Sequence, residues 1–188
     1  AYAEIKRLLN SEAFGRPMAI NIAGYFGRRL TGWWNSRKAC GGLLFWAGVH
    51  DVDTIRHLMG EVTRVHAIVG PKLYPDLTDY EDSIAVNLNF ANGAIGSLQV
   101  STFYPMASYR TSFDYEIVCE HGGISYDSRQ PSVHHQIMGQ PMETSFFEGY
   151  GHEIAYDLEW GNFAAWILRD EPPILTGEDG LRCVEIMQ

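Results

Sequence analysis

The chain has 188 residues, enough for one domain of ordinary size with a buried core and too few for two independent ones. Hydrophobic residues make up 46% and charged residues 20%, the composition of a soluble globular protein, and no apolar run nears the roughly 20 residues of a membrane-spanning helix. Lys and Arg number 14 against 23 Asp and Glu, and the net charge of -9 repels phosphate backbones, which argues against nucleic acid as a partner.

Ala1 to Asn10 is amphipathic, with Ile5, Leu8 and Leu9 set against Glu4, Lys6 and Arg7, which predicts a helix and not a signal peptide. The chain opens without Met, and the expectation is that it begins partway through a longer protein. Gly15 and Pro17 lead into a strand over Met18 to Ala23, followed by a polar, aromatic and basic loop from about Gly24 to Cys40. Arg28, Arg29, Trp33, Trp34 and Arg37 in that loop are suited to an oxygen-rich ligand, because arginine offers a bidentate fork to carboxylate or phosphate.

Gly41-Gly42 opens a helix whose Val49, Val52, Ile55 and Met59 recur at helical spacing and which Gly60 ends. His50, Asp53 and His57 lie along a neighbouring face, and Asp51 is expected on a solvated one. This segment is the one place where the sequence points to chemistry.

Glu61 to Val69 reads as a strand. Ile84, Val86, Leu88 and Phe90 alternate with Ser83, Ala85, Asn87 and Asn89 before an Asn92-Gly93 turn into a second strand over Ala94 to Thr102. Another hairpin is expected over Tyr115 to Asp127 around His121-Gly122-Gly123, and one or two edge strands between Pro131 and Glu148. His152 to Leu168 predicts a long helix stopped by Pro172-Pro173, and Thr176-Gly177-Glu178-Asp179 starts a last one. The fold class expected is α+β: an open, mostly antiparallel sheet of about six strands with helices packed on one face, forming a single domain over residues 1–188.

Cys40, Cys119 and Cys183 are odd in number and show no CxxC spacing, which fits a reducing cytoplasm better than a disulfide framework. The adjacent His134 and His135 point to opposite faces of a strand, and no spacing fits a zinc site, so no metal is expected.

Several of these features occur in one order: Gly41-Gly42, Gly48-x-His50-x-x-Asp53, the hairpin from Asp82 to Ser101 around Phe90-Ala91-Asn92-Gly93-Ala94, the Cys119 to Ile124 turn, and the ending from Asn162 through Pro172-Pro173 to Gly180. In that order and spacing the chain resembles the C-terminal domain of the Gfo/Idh/MocA nicotinamide-dependent oxidoreductases, from about Phe14 to the end. The resemblance implies a glyceraldehyde-3-phosphate dehydrogenase-like C-terminal fold. It also implies a preceding Rossmann domain, absent from this chain, that binds NAD or NADP and carries a Lys-Pro motif. This domain would then supply substrate contacts and form a homo-oligomer through its open sheet face.

For the site, the resemblance implies His50 at the hydroxyl of a small-molecule substrate, a sugar, cyclitol or related polyol, where an imidazole can take the proton as a carbonyl forms. Arg28, Trp34, Arg37, Trp46 and Tyr156 would contact substrate, and Asp53, Gly41 and Gly42 would support them. The family usually carries an aspartate where this sequence has Trp46, an indole with one donor and a large apolar face. That departure keeps two alternatives open: a lapsed binding or scaffold member, or an enzyme using transient oxidation for elimination or glycosidic cleavage. No GxGxxG occurs in a strand-to-helix context, so a cofactor cradle is not expected within this chain, and the chain by itself is expected to be inactive.

Overall fold

In the computed structural model, residues 1–25, 31–72, 75, 76, 78–102, 112–147 and 152–188 are described. Helix α1 (Tyr2–Leu9) is followed by strand β1 (Pro17–Tyr25), a 3-10 turn (Gly32–Asn35), the short α2 (Arg37–Cys40), a widened π-type turn (Leu44–Gly48) and α3 (Val49–Met59). Then come β2 (Val62–Val69), β3 (Ser83–Phe90), β4 (Ile95–Ser101), β5 (Ser112–Cys119), β6 (Gly122–Asp127), β7 (Ser132–Ile137) and β8 (Glu143–Phe146). Helices α4 (His152–Arg169) and α5 (Gly177–Met187) close the chain.

All eight strands form one sheet in the order β2-β3-β4-β1-β5-β6-β7-β8, two more strands than expected. The additional pair is β7 and β8, which continue the sheet antiparallel at one edge, with Ser132 opposite Phe146 and His135 opposite Glu143. Both lie in the stretch from Pro131 to Glu148 where the sequence implies one or two edge strands. The sheet is antiparallel throughout except where β1 inserts beside β4, with Ile20 opposite Gly96 and Ile22 opposite Leu98. The α+β class and the open, mostly antiparallel sheet are therefore as the sequence implies.

Alternation decides which face is covered. Ile20 and Ile22 of β1, Ile84 to Phe90 on alternate positions of β3, Leu98 and Val100 of β4, and Tyr115 and Ile117 of β5 are buried on one side of the sheet. Against them lie Ile5, Leu8 and Leu9 of α1, Val52, Ile55, Leu58 and Met59 of α3, and Cys183 of α5. Polar groups hold the helices at their ends: Lys6 Nζ donates to the His57 carbonyl at 2.5 Å, and Arg56 reaches both Glu61 (2.8 Å) and the Asp179 carbonyl (3.2 Å).

The other face of the sheet is open, with Asn21, Glu116 and Val118 directed outward between small and polar neighbours. Helix α4 departs from the expected pattern. Of Ile154, Leu158, Phe163, Ala165 and Ile167 only Ala165 is buried, and Trp160 and Trp166 are exposed as well. Among the described residues, no helix is long and apolar enough to cross a membrane.

Candidate functional site

The segment from Trp33 to Asp53 runs from the 3-10 turn into α3 and is fixed from beneath by one carboxylate. Gly41, at φ +84, ends α2 in the left-handed conformation, and Gly42, at φ +102, continues the turn. Glu81, almost fully buried, accepts from the Leu43 amide at 3.2 Å and pairs with the Arg37 guanidinium. The Arg37 amide donates to Asp79. A Cβ on Gly42 would stand 3.1 Å from Arg37 Nη1 and 3.2 Å from Glu81 Oε1, so the glycine lets the backbone lie against that ion pair. Gly41 and Gly42 are thus support for the turn. Arg37, read in the sequence as a substrate contact, spends its charge on Glu81 in this structure.

The widened turn at Leu44–Gly48 leads straight into α3, and turns of this kind recur at functional sites. Trp46 lies within it, half-buried against the core, and its indole meets the Tyr80 hydroxyl. Tyr80 in turn donates to the Trp34 carbonyl at 2.5 Å, and burial pushes its own phenol up. Trp33 and Trp34 stack with ring centroids 4.7 Å apart and stand 55% and 40% exposed, an aromatic surface joined through Tyr80 to Trp46.

His50, in the first turn of α3, is exposed, and no hydrogen bond or ion pair from the described residues reaches its imidazole. Its carbonyl accepts from Thr54 Oγ1 at 2.8 Å. Asp53 does not turn toward it: the Asp53 carboxylate accepts from the Cys183 thiol at 3.7 Å and ties α3 to α5. Burial, then Asp53, pushes that thiol up.

Asp51 is the residue that sequence reasoning placed wrongly. It is fully buried, Tyr115 Oη donates to its Oδ1 at 3.1 Å, and its Oδ2 has no partner among the described residues. Burial pushes its carboxyl up to about 7, against the opposite pull of the Tyr115 hydrogen bond. The available signal was spacing: Ala47, Asp51, Ile55 and Leu58 follow the i, i+4, i+4, i+3 course of a buried stripe.

The structure therefore brings Trp34, Arg37, Gly41, Gly42, Trp46 and His50 together along one segment and leaves Tyr156 exposed on α4. Arg28, with Arg29 and Tyr150, lies outside the described residues. Glu81, Tyr80 and Tyr115 are supports that sequence reasoning did not single out. Among the described residues, no group of three or more His, Cys, Asp or Glu side chains is arranged to hold a metal ion.

The model of the GFO/IDH/MocA C-terminal domain matches residues 2–125, across the glycine turn, α3 and the sheet through β5. The chain belongs to the GFO/IDH/MocA family. Among solved structures, this GFO/IDH/MocA domain is similar to levoglucosan dehydrogenase in complex with NADH, with TM-score 0.86 and 18% identity over 97% of this chain and 58% of that one. It is similar to an oxidoreductase from Thermotoga maritima at TM-score 0.84 and 18% identity, over 98% and 54% of the two chains. A NAD-binding oxidoreductase from Klebsiella pneumoniae follows at TM-score 0.86 and 17% identity, over 98% and 58%. The domain thus spans under two thirds of each of these chains, and identities at this level speak for the fold. No curated protein sequence matches it.

Among the described residues, the one parallel strand pair is β1 with β4.

Proposed function

We propose that this domain is the substrate-binding and oligomerisation part of a nicotinamide-dependent oxidoreductase that acts on a hydroxyl of a sugar, cyclitol or related polyol. The observation that carries the reading is His50, an exposed imidazole with no partner among the described residues on a helix braced on its inner side, in a member of this family. NAD or NADP, bound by a Rossmann domain outside these residues, supplies the hydride acceptor.

The domain's own contribution is proton management and placement. His50 takes the hydroxyl proton, or polarises the oxygen, as the carbinol carbon becomes a carbonyl. Trp33 and Trp34 offer their exposed rings to the apolar face of the substrate. The turn braced by Glu81 holds these groups at fixed spacing, so binding need not order them. Solved levoglucosan dehydrogenase complexes with NADH and with levoglucosan or L-sorbose lend support to a sugar-like substrate. The apolar surface of α4 supports a further domain packing over it, and the open sheet face supports a homo-oligomer.

The test is nicotinamide-linked oxidation by the full-length protein across a panel of polyols and anhydrosugars, with NAD and NADP compared. Reduction of the cofactor by at least one member is expected, and none with either cofactor would overturn the reading. A second reading, a binding protein of the same family without turnover, is favoured by Trp46, whose indole is engaged with Tyr80 where the family offers a carboxylate. Polyol binding without cofactor binding would select it.

A further inference from the structure

Asp51 occupies a place that burial alone does not explain. Its side chain leaves α3 on the buried face, next to the exposed His50, and it meets β5 where Tyr115 Oη donates to Oδ1 at 3.1 Å. Tyr115 Oη lies 3.2 Å from the hydroxyl of Tyr2 on α1, so the three groups form a chain from the underside of α3 to the surface. Oδ2 lies beside Gly24 of β1, where a Cβ would come within 3.6 Å of it and 3.0 Å of the Phe113 ring, a crevice with no donor among the described residues.

We propose that Asp51 is a positioning residue for His50 that fastens the first turn of α3 to β5 through Tyr115 and releases that turn when it ionises. The proposal rests on the reading of His50 given above. A carboxylate with one unsatisfied oxygen in an apolar crevice is costly, and the same group with its proton costs much less. While Asp51 is neutral the turn stays docked. When it ionises, the charge seeks water, and the turn that carries His50 is the element that must move to admit it.

The described residues around it leave little else to offset that charge. From β5 comes Tyr115, and from α1 Tyr2 through Tyr115, while Gly24 and Ile22 of β1 bring no ionisable group. On α3 itself Asp53 is engaged with Cys183, and Arg56 with Glu61 and Asp179. His57 is exposed, and the Lys6 ammonium of α1 is spent on the His57 and Leu58 carbonyls. Burial accordingly places the Asp51 proton in the range where an imidazole also titrates.

The test is a pH titration of the full-length protein carrying 13C-labelled aspartate carboxyl and histidine ring carbons, followed by NMR without substrate or cofactor. The Asp51 carboxyl is expected to titrate near neutrality. The His50 signal should show a second inflection at the same pH, which Asp51→Asn removes. Tyr115→Phe, which deletes the one hydrogen bond favouring the charged form, should move the Asp51 midpoint upward and carries the test if Asp51→Asn fails to fold. An Asp51 carboxyl that titrates in the ordinary carboxylate range overturns the proposal. So does a His50 signal with a single inflection in the parent protein, or an Asp51 midpoint that Tyr115→Phe leaves in place. None of these readouts depends on turnover, so loss of the oxidoreductase reading and loss of this proposal are separate results.

Discussion

Gly42 and Asp51 set the conditions under which His50 can be presented. At Gly42 the backbone sits at φ +102, and an added methyl group would meet both partners of the Arg37–Glu81 pair. Gly42→Ala is therefore expected to cost about 1–3 kcal/mol in urea unfolding, the range for a non-glycine residue forced into a sparsely populated conformation. An unchanged midpoint would show that the turn is not under this constraint. Asp51 makes stability depend on pH. Its carboxyl is raised by burial from about 4 in the unfolded chain to about 7 in the fold, so the stability it contributes is full below pH 4 and is lost as pH rises through 7. The loss amounts to roughly 4 kcal/mol if the whole shift is realised, since one unit is about 1.4 kcal/mol. Urea unfolding of the parent protein should thus weaken between about pH 4 and 7, and that of Asp51→Asn should weaken much less. Parallel curves would contradict the assignment. Asp51 escaped the sequence reading because an acid beside a histidine looks solvated. Its stripe with Ile55 and Leu58 competes with that of Val52 and Met59 on a helix buried over a broad arc.

Among the elements, α5 has the most explicit start signal. Thr176 accepts from the Asp179 amide, and the Asp179 carboxylate accepts from the Thr176 amide at 2.9 Å, a reciprocal box that also holds the Asp179 carboxyl below its usual range. Thr176→Ala should lower stability by about 1 kcal/mol in thermal or urea unfolding, with helical content otherwise kept. The hairpin of β3 and β4 and that of β5 and β6 were legible because strict alternation and Asn-Gly or Gly-Gly turns encode them locally. The insertion of β1 between β4 and β5 was not legible, because alternation tells which face a strand buries and not which neighbour it chooses. Helix α4 was legible as a helix, and its exposure was not. Its apolar residues look the same in sequence whether this domain or another surface covers them.

For the molecule as a whole, the proposed function assigns the open sheet face to assembly and the segment from Trp33 to His50 to chemistry. Val118, 55% exposed among small and polar neighbours on that open sheet, would sit within a subunit contact. Val118→Glu in the full-length protein should shift its mass in light scattering toward the monomer, and an unchanged mass would place the contact elsewhere. Family and fold were legible because the ordered glycine turn, histidine helix and hairpins are local features. The bracing of the site was not, since Glu81, Tyr80 and Tyr115 reach the turn and the helix from strands and loops distant in sequence. The decisive comparison is kcat/KM for nicotinamide-linked oxidation of the best polyol by the full-length protein and its His50→Ala variant. A loss on the order of 10²–10⁴-fold is expected for removal of a general base, whereas an equal rate in the variant would contradict the role given to His50.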